Sequence, residues 1–313
     1  MRILVTGSNG FIGCHLTSLL KARGHRVSGL DSDLVPLPEW LRQERSVVSG
    51  VRTTDCDITN VDSITEVLRE AAPEVVVHLA AKPGVAGAEL APASYEAVNV
   101  RGVANLIDAC VRAKVRRIVH ASSSSVYGNA CGAITEDAEL KPIGHYGRTK
   151  AMGEDLLEAA ARTRGLDIMV LRPFSVIGSR GRPDMAPWRF AEALLSGREV
   201  PIHQGAGRDF TSVHDVANAF AFAAESSIHG HHVVNIGSGE PRLAAELAEH
   251  LADVLGCKCN MRSKPLPSYM PMTTHANIVK AASLFGWRPR MKFADSVTEF
   301  GEWFKKRAAP FGA

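Results

Sequence analysis

The sequence predicts an α/β fold built on a doubly wound parallel sheet, and two observations carry this prediction. Short apolar runs alternate with amphipathic segments through the first half of the chain, which is typical of parallel strands covered by helices on both faces. The first of these runs, Arg2–Thr6, leads at once into a glycine-spaced loop, Gly7–Gly13, that opens a helix. Because crossovers between parallel strands are right-handed, the sheet is expected to extend on both sides of its first strand.

The elements of the first half follow from these periods. Continuous apolar runs predict buried strands, and apolar residues repeating every three or four positions predict helices. The strands predicted here are Arg2–Thr6, Arg26–Asp31, Val75–Ala80, Arg117–Ser122 and Asp167–Arg172. The helices predicted here are Gly13–Arg23, Val61–Ala71, Tyr95–Ala113 and Tyr146–Thr163.

The composition changes after Pro173, where glycine, proline and arginine become frequent. We expect residues 1–172 to form a Rossmann domain, with a returning segment near 205–236, and residues 173–313 to form a smaller substrate lobe. Because the strand His232–Ile236 is expected to rejoin the main sheet, the C-terminal lobe is interleaved with the first domain. The other elements predicted here are a strand at Val200–His203 and helices at Trp188–Ser196, Asp215–Glu225, Ala244–Leu255, Ala276–Phe285 and Phe293–Lys306.

Composition limits the kinds of function that the chain can have. Of its 313 residues, 45% are hydrophobic and 22% are charged, and the net charge of +3 comes from scattered basic residues. This balance gives little support to binding of nucleic acid or of a membrane surface. No uninterrupted apolar stretch reaches the roughly 18 residues of a membrane span, and the chain begins with a strand rather than a signal peptide. A cytoplasmic protein is therefore expected.

The six cysteines do not form a recognisable metal site. None belongs to a C-x-x-C pair, and Cys257 and Cys259 have no companion histidine or cysteine at zinc-ligand spacing. We therefore expect reduced thiols and no bound metal.

The loop Thr6–Gly13 (TGSNGFIG) is the first candidate binding site. Glycines let the backbone approach a pyrophosphate, which binds the N–H groups at the start of the following helix. Asp31 ends the next strand, where a carboxylate hydrogen-bonds the ribose hydroxyls of NAD and repels the 2′-phosphate of NADP. The sequence therefore predicts an NAD site. Asp57 and Ile58, at another strand end, are a further candidate contact with the adenine.

Tyr146 and Lys150 are the first candidates for chemistry, because residues four apart share one face of a helix. A cation beside a phenol favours the phenolate and lowers the pKa of the tyrosine from its usual value of about 10. Such a tyrosine can take a hydroxyl proton while hydride leaves the same carbon for a nicotinamide. A run of four serines, 122–125, lies upstream. The sequence therefore predicts redox chemistry on an alcohol.

With these motifs identified, the chain resembles the extended short-chain dehydrogenases/reductases of the NAD-dependent nucleotide-sugar epimerase/dehydratase family over nearly its whole length. The matching segments are Thr6–Gly13, His78–Ala81, Asn99–Gly102, Ala121–Gly128, Tyr146–Lys150, Leu171–Phe174, Arg208–Phe210 and Phe285–Trp287. Within that family, Gly181–Ala186 (GRPDMA) and the ASSSSVYG segment are similar to stretches of UDP-glucuronate 4-epimerases. The resemblance implies NAD-dependent inversion of C4 of a nucleotide sugar, UDP-glucuronate to UDP-galacturonate, through a 4-keto intermediate.

The resemblance also implies a role for individual residues. Tyr146 would be the catalytic base, Lys150 its partner and a ligand of the nicotinamide ribose, and Ser123 a hydrogen-bond partner of the sugar 4-hydroxyl. The substrate contacts implied are Ser124 and Ser125 at the C5 substituent, Ser175 and Arg182 at the substrate or its carboxylate, and Arg208 at the diphosphate. The cofactor contacts implied are Gly7, Gly10, Phe11, Ile12, Asp31, Asp57, Ile58, Leu79, Ala80, Ala81, Lys150 and Pro173.

Three alternatives share part of this pattern. A nucleotide-sugar 4,6-dehydratase carries Asp-Glu where Ser124 and Ser125 stand here, and serines cannot do that carboxylate chemistry. A UDP-glucuronate decarboxylase carries Glu at the position of Ser125. A non-catalytic NAD-binding sensor on the same fold is a different class of protein, but such proteins usually lose the Tyr-Lys pair. The epimerase is therefore the preferred interpretation.

The chain departs from the family pattern in its substrate half. Ser175 stands where many relatives carry Asn, Ala86 where uronate epimerases usually carry Arg, and Ser179 where Pro is common. The segment Ser268–Thr274 lacks the Arg and Gly-Asp that often bind the nucleotide phosphates. These departures leave the nucleotide and its pose open.

The resemblance extends to the oligomeric state. The predicted helices Tyr95–Ala113 and Tyr146–Thr163 are similar to those by which relatives form a four-helix dimer interface. A homodimer that binds a nucleotide-sugar substrate is therefore expected.

Overall fold

The structure, a computed structural model, describes residues 1–32 and 37–308. The strands of these residues are β1 (Arg2–Thr6), β2 (Arg26–Asp31), β3 (Thr53–Asp55), β4 (Val75–His78), β5 (Arg117–Ala121), β6 (Asp167–Pro173), β7 (Ser175–Ile177), β8 (Val200–His203), β9 (Gly207–Ser212), β10 (His231–Ile236), β11 (Pro241–Leu243) and β12 (Met261–Lys264). The helices are α1 (Phe11–Ala22), α2 (Glu39–Ser49), α3 (Val61–Ala71), α4 (Val85–Leu90), α5 (Pro92–Glu96), α6 (Gly102–Arg112), α7 (His145–Arg164), α8 (Ala186–Leu195), α9 (Val213–Glu225), α10 (Ala244–Leu255), α11 (Val279–Phe285) and α12 (Phe293–Ala308).

Seven of the described strands form one large parallel sheet in the order β10-β6-β5-β4-β1-β2-β3. The order reverses between β1 and β4, and ligands of doubly wound sheets bind beyond the carboxyl ends of the strands at such a point. The predicted fold class is confirmed. The predicted return of His232–Ile236 to this sheet is also confirmed, since β10 pairs with β6.

Both faces of the sheet are buried under helices. In β1, Ile3 and Val5 pack into one apolar cluster with α1 and α9, whereas Leu4 packs into a second cluster with α3 and α6. Since neighbouring side chains of a strand point to opposite faces, both faces require apolar residues and the strand becomes a continuous apolar run. This is why these strands could be predicted from the sequence.

A smaller lobe lies beyond the sheet and supplies the opposite wall of the functional cleft. It contains a three-stranded sheet in the order β11-β9-β7 and a parallel pair, β12-β8. Helices α8, α10 and α12 enclose an apolar cluster whose largest members are Trp188, Phe190, Phe210, Phe300, Trp303 and Phe304. From β9 the chain enters α9, which packs on the main sheet, so the two parts are interleaved as predicted.

Helix α2 is absent from the sequence-based prediction, and its buried face explains why. The buried residues of α2 are Leu41, Arg45 and Ser49, which are spaced four apart but include only one apolar side chain. Apolar periodicity therefore cannot reveal the helix.

The helix predicted at Tyr95–Ala113 is interrupted, and the interruption serves a polar contact. A π turn at Ala97–Arg101 separates α5 from α6. Inside this turn the Asn99 side chain accepts a hydrogen bond from the Lys82 backbone N–H (2.8 Å) and donates to the Lys82 carbonyl (3.1 Å) and to Thr149 Oγ1 (3.1 Å). The wider turn thus directs the Asn99 amide at the loop after β4, and π turns are frequent at functional sites.

One further predicted element differs in length. The helix predicted at Ala276–Phe285 begins at Val279 because the Ala276 N–H donates to Asp209 Oδ2 (3.0 Å) and the Asn277 N–H to the Ile134 carbonyl (2.9 Å). These two N–H groups therefore donate to partners outside a helix.

None of the described helices combines the length and the apolar composition of a membrane span.

Candidate active site

A cavity of about 1440 Å³ lies between the carboxyl ends of the main-sheet strands and the smaller lobe. The predicted site residues that line it are Gly7, Gly10, Phe11, Ile12, Asp31, Ile58, Leu79, Ala80, Ala81, Ser123, Ser124, Ser125, Tyr146, Lys150, Pro173, Ser175, Arg182 and Arg208. Asp57 does not line the cavity. Its Oδ1 instead accepts a hydrogen bond from the Thr59 N–H (2.8 Å), so its contact with adenine stays a prediction.

The glycine loop is shaped so that only backbone fits. Gly7 has φ +70°, and a Cβ there would lie 2.8 Å from the Ala80 nitrogen. A Cβ on Gly13 would lie 1.9 Å from the Gly7 carbonyl oxygen. Helix α1 starts at Phe11 with no side-chain cap, so its first N–H groups remain available to an anion. These features fit the pyrophosphate of a dinucleotide.

Asp31, at the end of β2, fixes this loop and lines the cavity. Its Oδ2 accepts a hydrogen bond from the Asn9 N–H (2.7 Å) and its Oδ1 accepts one from the Ser32 N–H (2.8 Å). A carboxylate at this strand end fits the ribose of NAD and disfavours a 2′-phosphate.

The four serines of the run have different surroundings. Ser122 lines the cavity but is nearly buried, and its hydroxyl contacts the Glu154 carboxylate. Ser123 caps the 3₁₀ turn Ser124–Tyr127, and its Oγ accepts hydrogen bonds from the Ser125 N–H (3.2 Å) and Ser125 Oγ (2.9 Å). The turn thereby holds Ser123 at the cavity wall.

Tyr146 and Lys150 lie on one face of α7, as their spacing predicts. The Lys150 Nζ is 6.0 Å from the centre of the Tyr146 ring and donates a hydrogen bond to the Ala121 carbonyl (2.9 Å). Lys150 is therefore anchored between the tyrosine and the end of β5, next to the serine run.

The pKa of Tyr146 does not shift in the direction expected from the sequence. Burial raises the pKa of Tyr146, and the positive charge of Arg182 and the Ser123 hydroxyl oppose this rise without reversing it. Burial also lowers the pKa of Lys150 to about 8. The expectation of a lowered tyrosine pKa is thus wrong for the cofactor-free protein, because burial of the phenol outweighs the cations nearby.

Arg182 faces the same part of the cavity from the loop before α8. Its Nε and Nη2 donate to the two carboxylate oxygens of Asp184 (both 2.9 Å). Nη1 makes no hydrogen bond with the described residues and can meet a second anion. Its charge opposes the rise in the pKa of Tyr146, so this cation acts on the predicted base.

Arg208 and Ser175 also line the cavity. The Arg208 Nη1 donates to the carbonyls of Gly207 (2.7 Å) and Met272 (3.0 Å), which fixes the guanidinium against the segment after β12. In that segment Tyr269 and Met270 line the cavity. Arg208 is therefore held in place at the cavity, and its contact with the diphosphate stays a prediction.

Comparison with known proteins decides the family. A model of the NAD-dependent epimerase/dehydratase family matches residues 3–237, which is most of the chain. The chain belongs to this family. UDP-glucuronate 4-epimerase 2 of Arabidopsis thaliana is 35% identical over 328 residues, which cover 96% of this chain and 75% of the plant protein. Protein CapI of Staphylococcus aureus is 30% identical, with 97% and 98% of the two chains covered.

Solved structures of family members have the same fold. UDP-glucuronic acid 4-epimerase from Bacillus cereus, in complex with UDP-glucuronic acid and NAD, superimposes with a TM-score of 0.91 at 33% identity, over 98% of this chain and 100% of that chain. MoeE5 in complex with UDP-glucuronic acid and NAD superimposes with a TM-score of 0.89 at 33% identity, over 98% and 100%. The predicted family and its dependence on NAD are confirmed.

Three polar residues at or below the cavity were not named as site residues in the sequence analysis. Arg45, on α2, lines the cavity although it is almost completely buried. Below the serine run, Glu154 and Arg172 form a buried ion pair (2.5 Å) that also holds Ser122 and Tyr127. Glu154 follows Lys150 by four residues, and this i, i+4 spacing was the available signal for a residue on the same helix face.

Lys150 gives a pH-dependent stability that can be measured. Because burial lowers its pKa from 10.5 to about 8, the unfolded chain holds more protons than the folded cofactor-free protein between these values. The free energy of unfolding therefore gains up to about 1.4 kcal/mol per pH unit from this group between about pH 8 and pH 10. The raised pKa of Tyr146 acts above this window. Burial raises the pKa of Cys14 and Cys56 from 9.0 to about 11, so these thiols lower the free energy of unfolding as the pH rises above about 9, and the contribution of Lys150 is read from the difference between the wild type and Lys150→Met. Urea denaturation at both pH values is expected to show that Lys150→Met removes the gain, and equal slopes would contradict it.

Proposed function

We propose that this protein is an NAD-dependent UDP-glucuronate 4-epimerase that interconverts UDP-glucuronate and UDP-galacturonate. The observation that carries the proposal is a single cavity lined by Tyr146, Lys150 and Ser123 together with Arg182 and with hydroxyls at positions 124 and 125. Relatives and structural neighbours with this activity in their names cover nearly the whole chain.

The cofactor half of the cavity would be formed by the glycine loop and the strand ends. Gly7 and Gly10 would admit the pyrophosphate, Asp31 would bind the adenosine ribose, and Lys150 the nicotinamide ribose. The apolar walls would come from Phe11, Ile12, Ile58, Leu79, Ala80, Ala81 and Pro173. When bound, NAD accepts the C4 hydrogen of the sugar reversibly as hydride, so that a 4-keto sugar forms transiently and is reduced on its opposite face.

The protein's own contribution to the chemistry is the control of one proton. Tyr146 would take the proton of the 4-hydroxyl, and Ser123 would hydrogen-bond the same oxygen and hold it near the phenol. The ammonium of Lys150 would stabilise the phenolate, and Arg182 adds a second positive charge. Since burial opposes ionisation of Tyr146, these cations are required for the tyrosine to act as a base.

The substrate half would bind anions at two places. Arg182 would meet the C6 carboxylate with its Nη1, and Ser124, Ser125 and Ser175 would hydrogen-bond the C5 substituent and ring. Arg208 would hold the diphosphate from its fixed position beside Met272. Arginine suits both roles because its planar group donates several hydrogen bonds at once.

The rival reactions need a carboxylate where this cavity has hydroxyls. A 4,6-dehydratase or a decarboxylase would act through acidic side chains at the positions of Ser124 and Ser125. The nearby carboxylate of Asp184 is engaged by Arg182 at 2.9 Å. A sensor without activity would not require the Tyr146–Lys150 pair. These features support the epimerase over each alternative.

An NMR time course of the purified protein with UDP-glucuronate and NAD tests the proposal, with UDP-glucose in parallel. UDP-glucose is the appropriate comparison because MoeE5 has been solved with this nucleotide sugar as well as with UDP-glucuronic acid. The expected product is the C4-inverted uronate without carbon dioxide. A pentose product with carbon dioxide would make the protein a decarboxylase, and turnover of UDP-glucose alone would overturn the uronate assignment.

Arg182→Met tests the contact with the carboxylate. Loss of a charged hydrogen-bond partner costs about 1.5–3 kcal/mol, so we expect KM for UDP-glucuronate to rise about tenfold to a hundredfold. Binding of UDP-glucose, which lacks the carboxylate, should change less than about threefold by calorimetry, since an uncharged sugar loses no ion pair. Equal losses for both sugars would show that Arg182 does not recognise the carboxylate.

The proposal also includes the division into domains, the oligomeric state and the cellular location. We propose that residues 1–172, with a returning segment near 205–236, form the NAD-binding domain and residues 173–313 the substrate lobe. The protein would act as a homodimer in the cytoplasm, through a surface that includes α6 and α7. Light scattering of the purified protein tests the dimer, and a monomer would contradict it.

A further inference from the structure

The turn before Arg182 holds a strained residue. Among the described residues, the non-glycine positions with positive φ are Ala72, Lys114 and Arg180. Ala72 and Lys114 follow the ends of α3 and α6, where left-handed residues are common. Arg180 (φ +64°) lies instead between β7 and α8, two residues before Arg182. A side chain in this conformation persists only where neighbouring groups hold it.

Arg45 of α2 holds this turn through its backbone. The Arg45 Nε donates to the Arg180 carbonyl (3.1 Å), and its Nη2 donates to the carbonyls of Arg180 (2.8 Å) and Gly181 (3.2 Å). The neighbouring Glu44 pairs with the Arg180 side chain (3.1 Å). Arg45 and Glu44, which are consecutive residues of α2, therefore bind the backbone and the side chain of Arg180 respectively.

Helices α1 and α12 hold the preceding residue, Ser179. The His15 Nε2 is hydrogen-bonded to the Ser179 carbonyl (3.1 Å), and the Ser179 hydroxyl donates to Glu299 (2.9 Å). The Arg180 Nη1 donates to the same hydroxyl (2.9 Å). A proline at this position, which is common in the family, would lack that hydroxyl. The serine at position 179, which departs from the family pattern, therefore makes side-chain hydrogen bonds that help to fix the turn.

Arg45 is expensive to bury, which indicates a purpose beyond packing. It is 1% exposed and makes no ion pair with an acid among the described residues. Burial consequently lowers its pKa to about 10. The charges of Asp31 and Asp184 favour its charged form from opposite halves of the cavity, which Arg45 itself lines. A buried cation with only carbonyl partners is retained where a fixed geometry is needed.

We propose that Arg45 is a positioning residue that fixes the turn 179–181 and thereby presets Arg182 for the carboxylate of the substrate. The inference rests on the proposed function, in which Arg182 recognises a uronate. Under this proposal, the affinity for the uronate depends partly on α2. This helix belongs to the cofactor half of the protein and not to the lobe that contacts the sugar.

The first test follows the turn itself in the NAD-loaded protein without sugar. In Arg45→Met, amide hydrogen exchange of a peptide covering residues 179–185 is expected to be at least about tenfold faster than in the wild type. Arg69→Met is the matched control, because Arg69 is an exposed arginine whose one ion-pair partner among the described residues is Glu66. Wild-type exchange rates in Arg45→Met would overturn the proposal.

The second test separates positioning from a general structural role. In Arg45→Met, KM for UDP-glucuronate is expected to rise about tenfold with kcat changed less than about threefold, while Kd for UDP-glucose and for NAD stays within about twofold. Equal weakening of both sugars and NAD, with a lower Tm, would show a merely structural role and overturn the proposal. If Arg45→Met does not fold, Arg45→Lys retains the charge and a donor, and an intermediate selective rise in KM is expected.

Failure of the proposed function would look different from failure of this inference. A wild-type protein that does not turn over UDP-glucuronate would refute the proposed function, while the exchange measurement would still report whether Arg45 holds the turn. A wild-type protein that is active, with unchanged exchange and unchanged KM in Arg45→Met, would refute the positioning role alone.

Discussion

Tyr146→Phe is expected to lower kcat for UDP-glucuronate by about 10²–10⁴-fold, because general base catalysis contributes that much and phenylalanine cannot accept the proton. KM should change little, since the aromatic ring keeps its place on α7 beside Tyr95, whose ring centre lies 6.4 Å away. Steady-state kinetics with NAD at saturation, together with the melting temperature, measure the effect and show that the fold is retained.

Tyr95→Phe is the matched control for this prediction. Tyr95 is a second buried tyrosine on the cavity wall, but its hydroxyl is engaged, since it donates to the Pro83 carbonyl (2.7 Å). We expect kcat to fall less than about tenfold, as for loss of one neutral hydrogen bond. Comparable losses in the two variants would remove Tyr146 from its role as the base.

Arg172→Met is expected to lower the free energy of unfolding by about 3–5 kcal/mol, because it leaves the buried charge of Glu154 without its partner. Both side chains are nearly inaccessible, and Arg172 also donates to the Tyr127 hydroxyl (2.7 Å). The Tyr127 hydroxyl in turn donates to Asn235 (2.7 Å), which joins β6, the serine turn and β10. Urea denaturation of the two proteins at neutral pH measures the difference.

Two further variants sharpen this prediction. Arg162→Met breaks an exposed pair with Glu158 on the same helix as Glu154, and a loss below about 1 kcal/mol is expected. In the double variant Arg172→Met, Glu154→Leu, part of the lost stability should return, because no uncompensated charge remains. If the double variant were as unstable as Arg172→Met, the buried charge would not be the cause.

The local parts of the site could be predicted from the sequence. The glycine loop and Asp31 could be predicted because they lie at the ends of buried strands, and the apolar run of each strand shows where that strand ends. The pairing of Tyr146 with Lys150 could be predicted because residues four apart lie on the same face of a helix. Ser123 came from the family resemblance, and the structure adds that its neighbour Ser122 is directed instead to Glu154.

The remaining features depend on contacts between distant segments. Helix α2 presents Arg45 to the core, and its purpose appears only when the turn at Arg180 is seen packed against it. The direction of the Tyr146 pKa shift depends on how deeply α7 is buried, which spacing alone does not give. The π turn at Asn99 likewise follows from the loop after β4 lying alongside.

The most direct test of the account is an NMR time course with UDP-glucuronate deuterated at C4, in ordinary water. If the C4 hydrogen is removed and returned inside one closed cavity, the C4-inverted uronate should form with deuterium still at C4 and with no carbon dioxide. Tyr146→Phe should slow this conversion without changing the deuterium content of the product. Loss of deuterium to solvent during inversion, or a pentose as the product, would contradict the epimerase proposed here.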